Sequence, residues 1–165
     1  MHQTNTKISV RLEHANPIPI GHHGVLARAA EGRVSQRRLG FSFANYPMAL
    51  DENGKRLFAG CRLPARLVVL DTSSGRIVAT LPTVGDTDDV FYDAARRLIY
   101  VIGGEGSVEV LWQRDPDHYD RVERITTATG ARTGFLSQNS GRLYVAVPHR
   151  GSQAAKVLVY TIEGG

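Results

Sequence analysis

The sequence predicts an all-β protein made of about three consecutive four-stranded antiparallel sheets, the last one incomplete. Three observations carry this. First, a motif recurs. PMALDENGKRLFAG (47–60), VFYDAARRLIYVIGG (90–104) and FLSQNSGRLYVAV (135–147) place Phe58, Tyr100 and Tyr144 at one point of the repeat, 42 and 44 residues apart, with Asp51, Asp93 and Ser137 seven residues earlier. Second, the apolar runs are short, rich in β-branched and aromatic residues, and bounded by Gly, Asn, Asp and Pro, which is strand chemistry. Third, four such runs per repeat of roughly 40–50 residues is the pattern of a β-propeller blade.

Taken in order, residues 1–43 form a divergent leader that does not follow the repeat. Within it KISVRLE (7–13) alternates Ile8, Val10 and Leu12, as a strand would, and could supply the strand that completes the last blade of a ring. His22 and His23 are adjacent and not spaced to share a metal, so they read as loop residues. The first blade spans 44–85, with PMAL, RLFAG, RLVVLD (66–71) and RIVATLP (76–82) as strands. The second spans 86–130, with VFY, RLIYV, SVEVLW (107–112) and DRVERITT (120–127). Its QRDPDHYD stretch reads as a long third-to-fourth connection elaborated as a hairpin, with Trp112 packed along the blade edge. The third spans 131–165, with FL, RLYVA and KVLVYT (156–161), and stops before a fourth run. DENGK, DTSSG and QNSG are tight-turn chemistry, since Gly and Asn tolerate positive φ. Runs such as RLVVLD are apolar on both faces, as stacked blades require.

RLFAG, RLIYV and RLYVA, each followed by an apolar strand and leading in the first repeat to VVLDTSSGRIVATLP, resemble the repeats of YVTN-family β-propellers over about residues 44–163. That family is similar in fold to WD-repeat proteins and to the heavy chain of quinoprotein amine dehydrogenases. A closed ring of this kind needs about seven blades. The resemblance therefore implies the C-terminal part of a longer propeller, with a bacterial origin and frequent export. The matching motifs are structural and imply no catalytic residue. They leave a redox enzyme subunit as an alternative to a binding module.

Composition narrows the function classes. Apolar residues make up 42% and charged residues 22%, ordinary for a globular chain. No run approaches the roughly 18 apolar residues of a membrane helix, and the first twenty residues lack the apolar core of a signal peptide. The compartment stays open. One cysteine, Cys61, excludes an internal disulfide and a multi-thiolate zinc site. The net charge of +4 suggests nucleic acid at first sight. The excess lies wholly in residues 1–40, with six basic and two acidic side chains; residues 41–165 carry 14 of each. Only weak nucleic-acid binding by the leader is consistent with that.

The propeller reading places the candidate site. The loops entering each innermost strand and those between second and third strands share the channel-mouth face. They carry Asp86, Asp88, Asp89, Arg132, Cys61, Arg62, Glu105, His149 and Arg150. Asp51, Asp71, Asp93, Asp115, Asp117 and Asp120 fall in the opposite turns. Asp86, Asp88 and Asp89 offer oxygen ligands suited to Ca²⁺, but the spaced acids, glycine and distal Glu of a calcium loop are missing. We read them as turn residues that stay hydrated or pair with Arg62 and Arg132. Glu105 in GGEG is not part of a phosphate loop. A catalytic Cys61 needs a base such as His149 within hydrogen-bond reach, and the cysteine reads better as a small hydrophobe. The expectation is a non-enzymatic binding or scaffold module that needs no cofactor or metal. A protein or small polar ligand would sit at the mouth, and exposed blade faces would be available for self-association.

Overall fold

A computed structural model of the chain describes residues 24–28, 34–39 and 42–162. KISVRLE and the two histidines of IGHHG lie outside these. The described residues contain strands and turns and no helix. A hairpin of β1 (Gly24–Arg28) and β2 (Val34–Arg38) comes first. Three antiparallel sheets follow. The first is β3 (Phe43–Asp51), β4 (Arg56–Leu63), β5 (Ala65–Asp71) and β6 (Ile77–Pro82). The second is β7 (Thr87–Asp93), β8 (Leu98–Gly103), β9 (Ser107–Asp115) and β10 (His118–Thr126). The third has three strands, β11 (Thr133–Ser137), β12 (Arg142–Val147) and β13 (Lys156–Thr161). Each sheet is a meander in sequence order, which is blade topology, and the set is not closed into a ring.

The recurring motif has a physical reading in each blade. Asp51 Oδ1 accepts the Gly54 N–H at 2.8 Å, and Asp93 Oδ1 accepts those of Ala95 and Arg96 at 3.1 and 3.3 Å. These acids close the turn between first and second strands. In the third blade Ser137 and Ser140 bond to each other instead. Lys55, Arg97 and Gly141, each three residues before the aromatic, all take positive φ, at 55, 56 and 59°. The turn therefore demands a left-handed residue at one fixed place, and only the third repeat meets it with glycine.

The aromatic at the next fixed place faces the following blade. Phe58 is fully buried, with its ring 5.2 Å from that of Tyr92 and edge-on to Tyr119 at 5.9 Å. Together with Leu67, Val69, Val84, Val90, Ile99, Val101 and Leu111 it forms the core between the first two blades. Tyr100 does the same between the second and third, among Ile102, Val108, Val110, Leu143, Val145 and Val147. Sheets stacked face to face explain why β4, β5, β8 and β9 are apolar on both sides.

The QRDPDHYD stretch forms the elaborated hairpin that the sequence suggests. β9 and β10 run on, and only Pro116 and Asp117 turn. Gln113 and Tyr119, both buried, hold the extension down. Its tip is clamped by Arg56 of the first blade, which reaches the Pro116 carbonyl at 3.0 Å and the Asp117 carboxylate at 2.7 Å. Trp112 lies beside Arg97, whose guanidinium is 5.5 Å from the ring centroid.

One expectation needs correction, the place of Cys61. It does not face the mouth. It is fully buried on the outward side of the first blade, with Ala59, Val68, Leu70 and Leu39 from the segment after β2. Burial pushes its thiol above the ordinary value, and the Ser42 hydroxyl opposes this more weakly. We expect Cys61 to resist a thiol reagent in the native chain and to react once it unfolds. Leu39→Ala should speed native labelling several-fold, because local opening governs access. An unchanged rate would show that Leu39 does not seal this face.

Candidate functional site

The mouth is built from the ends of strands as much as from loops. Arg62 belongs to β4, and Asp88 and Asp89 to β7. A register shift between Thr87 and Asp89 leaves Asp88 as the extra residue of a β-bulge. Bulges re-aim a side chain out of the ladder, and Asp88 is turned to the arginines. Asp86 precedes it with φ at 52°, a left-handed conformation that Asp tolerates better than most residues.

Four side chains from three blades then interlock. Arg132 Nη1 donates to both carboxylate oxygens of Asp86, at 3.0 and 2.8 Å, and its Nε lies 3.1 Å from Asp88 Oδ2. Arg62 donates to Asp88 Oδ1, stands 3.4 Å from Asp86 Oδ1, and gives its Nε–H to the Thr87 carbonyl at 3.0 Å. Two acids and two bases balance. These side chains are between a quarter and two-fifths exposed, so each contact is a surface pair, worth roughly 0–1 kcal/mol alone. The gain is geometric, since one lattice ties the leading ends of successive blades.

Backbone contacts extend it. Glu105 accepts the Gly85 N–H at 3.0 Å, Gly104 N–H reaches Asp86 O at 2.9 Å, and Gly130 N–H reaches Gly104 O at 2.7 Å. A side chain at Gly130 would strike the Arg150 guanidinium, which marks how closely that loop is covered. Arg150 pairs with Gln153 across its own turn, and His149 beside it is exposed. Of the residues expected at this face, Asp86, Asp88, Arg62 and Arg132 share one lattice, and Glu105 and Arg150 border it.

Asp89 departs from the group. Its Oδ2 accepts the Gly134 N–H of β11 at 2.7 Å, joining second and third blades along their innermost strands. It also lines a groove of about 320 Å³ with Pro47–Leu50, Val90–Tyr92, Leu136 and Gln138. Burial raises its carboxyl above the ordinary value and the nearby Asp88 adds to this, while the Gly134 bond opposes it. The folded state thus holds this proton to higher pH than the unfolded chain. The stability Asp89 contributes is present below the unfolded value of about 4 and fades as pH rises through the raised one. Asn keeps an acceptor for Gly134 without the charge. Asp89→Asn should therefore match the parent near pH 3 in urea unfolding and exceed it near pH 7. A parent that gains on the variant over that range would refute the assignment.

Tyr46 was not anticipated as a site residue. It is 59% exposed, and the Arg62 guanidinium sits 4.7 Å from its ring centroid. An aromatic at the start of the innermost strand, near an arginine of the next strand, was the available signal. Among the described residues no three His, Cys, Asp or Glu side chains converge as a metal ion would require.

No family model matches the sequence, and no curated protein does. Solved structures do resemble it. A chain of the hydrazine synthase of Kuenenia stuttgartiensis aligns with a TM-score of 0.67 at 16% identity, over 84% of this chain and 40% of that one. A candidate 6-phosphogluconolactonase from Bacteroides uniformis aligns at 0.64 and 14%, over 85% and 47%. A luciferin-regenerating enzyme aligns at 0.54 and 14%, over 86% and 53%. The chain spans about half the length of these proteins or less. At such identities the likeness is one of fold, and together with the all-antiparallel sheets it makes this a β-propeller-like protein.

Proposed function

We propose that the chain is a YVTN-like propeller segment acting as a non-enzymatic binding or scaffold module, with its partner at the channel mouth. The lattice of Arg62, Asp86, Asp88 and Arg132 carries this reading. It sets loops of three blades in one geometry before any partner arrives, which lowers the ordering cost of binding. Its charge is balanced, and Tyr46, Glu105 and Arg150 border it. Such a surface suits a zwitterionic small molecule or a polar protein loop better than a polyanion. The chemistry of a nucleophile is weakly represented, since the lone thiol is buried with a raised pKa, the opposite of a reactive cysteine. A subunit attached to a redox enzyme has the fold likeness alone behind it.

The purified chain should raise no hydrolysis of lactones above buffer, the reaction that the name of one similar structure carries. Free amino acids and dipeptides serve as zwitterionic probes in thermal melts, and Arg132→Ala should abolish any rise in Tm that they cause. Turnover that disappears in Asp88→Asn would overturn the non-enzymatic reading.

A further inference from the structure

The groove along the innermost strands holds a charge that the arginine lattice does not answer. Its apolar walls are Pro47, Met48 and Leu50 of the first blade, Val90 and Phe91 of the second, and Leu136 of the third. Two hydrogen bonds fix its shape. At one end the Gly134 N–H donates to Asp89 Oδ2 at 2.7 Å, and at the other the Gln138 side-chain amide donates to the Tyr92 carbonyl at 2.9 Å. The second and third blades are thus tied at both ends of the groove, which exists before any occupant arrives. Its volume of about 320 Å³ is at the small end of ligand sites, which run from roughly 300 to 1,000 Å³. Asp86 and Asp88 each pair with Arg62 and Arg132. Asp89 lies past the bulge and makes no ion pair among the described residues. The Gly134 amide satisfies one of its oxygens but brings no positive charge. Tyr92, the other ionisable residue of the lining, gives its hydroxyl to Gln113 at 2.5 Å. A partly desolvated carboxylate without a counter-charge is held at a cost to the fold.

We infer that this groove binds a small organic monocation, an ammonium group bearing one apolar arm, with the ammonium on Asp89 and the arm along the walls. Charge complementarity selects the head. The one carboxylate of the lining has no cation of its own, and an ammonium both pairs with it and donates hydrogen bonds to the oxygen that Gly134 leaves. The walls select the arm, since six apolar side chains offer burial and no further charge. A carboxylate on the ligand would be set beside Asp89 in the same apolar surroundings, so a monocation fits better than a zwitterion or an anion. A bare metal ion finds too few ligands, because no three acidic, histidine or cysteine side chains converge among the described residues. The site lies outside the lattice of Arg62, Asp86, Asp88 and Arg132, and the inference does not rest on what that lattice binds.

Isothermal titration calorimetry of the full 165-residue chain at pH 7 tests it, with hexylammonium as the probe and hexanol and hexanoate as its neutral and anionic counterparts. Saturable binding of one hexylammonium per chain is expected, with hexanol at least tenfold weaker and hexanoate silent. Butylammonium, shorter by two methylenes, should bind roughly tenfold more weakly. Asp89→Asn keeps the acceptor for Gly134 and removes the charge, so the variant should fold and lose at least tenfold in affinity for hexylammonium. Asp120→Asn removes an exposed carboxylate of β10, outside the groove lining, and should leave the affinity unchanged. No saturable binding, hexanoate binding as tightly as hexylammonium, butylammonium binding equally well, affinity retained in Asp89→Asn, or affinity lost in Asp120→Asn would each overturn the inference. Amino-acid probes with Arg132→Ala report on the lattice, and hexylammonium with Asp89→Asn reports on the groove, so the two readings fail separately.

Discussion

Phe58→Ala should lower the unfolding free energy by about 3–5 kcal/mol, the cost of deleting a large aromatic from a core that collapses poorly. Phe58 is fully buried between two sheets, in contact with Tyr92 and Tyr119. Sheets fixed by their own ladders cannot easily close on the void. Edge-to-face ring contacts contribute beyond the area they bury. Total stability for a domain is about 5–15 kcal/mol, so the loss is a large share of it. Chemical denaturation of the variant measures this. A loss under about 1 kcal/mol would mean that the first two blades do not stack as described.

Removing both arginines that face Glu109 should cost a comparable amount. Glu109 lies on β9 with its side chain fully buried, and Arg121 and Arg124 reach it from β10, Arg121 at 2.5 Å. The arginines are half exposed and can be rehydrated; the carboxylate cannot. Arg121→Ala with Arg124→Ala leaves that charge buried and unpaired, for about 3–5 kcal/mol. Glu109→Val in the same background should recover most of the loss, since an apolar residue needs no partner there. If the triple variant is no more stable than the double one, the arginines stabilise the hairpin through packing and not through the carboxylate.

The blades were legible because their signals are local and repeated. Alternation, β-branched composition and turn residues mark the strands, and the spacing of Phe58, Tyr100 and Tyr144 aligns them. Pairing Asp86 and Asp88 with Arg62 and Arg132 was legible too, once loops were assigned to one face. What was hidden depends on tertiary context. The bulge that turns Asp88 outward and leaves Asp89 on the Gly134 amide is a register event with no residue signature. The length of the β9–β10 hairpin is settled by Arg56, sixty residues away in sequence, holding Pro116 and Asp117. Cys61 follows Gly60 at what looks like the mouth end, yet strand alternation turns it to the outward face, where Leu39 covers it. No periodicity in the leader announced that contact.

One row, repeated three times, stacks each blade on the next, and among the described residues its third copy is uncovered. The most direct measurement is the ranking of Phe58→Ala, Tyr100→Ala and Tyr144→Ala by unfolding free energy, at a dilution where scattering reports a monomer. Losses of about 3–5 kcal/mol are expected at the first two positions and under about 1 kcal/mol at Tyr144, whose row no sheet of the described residues covers. A Tyr144 loss equal to that of Phe58 would contradict it.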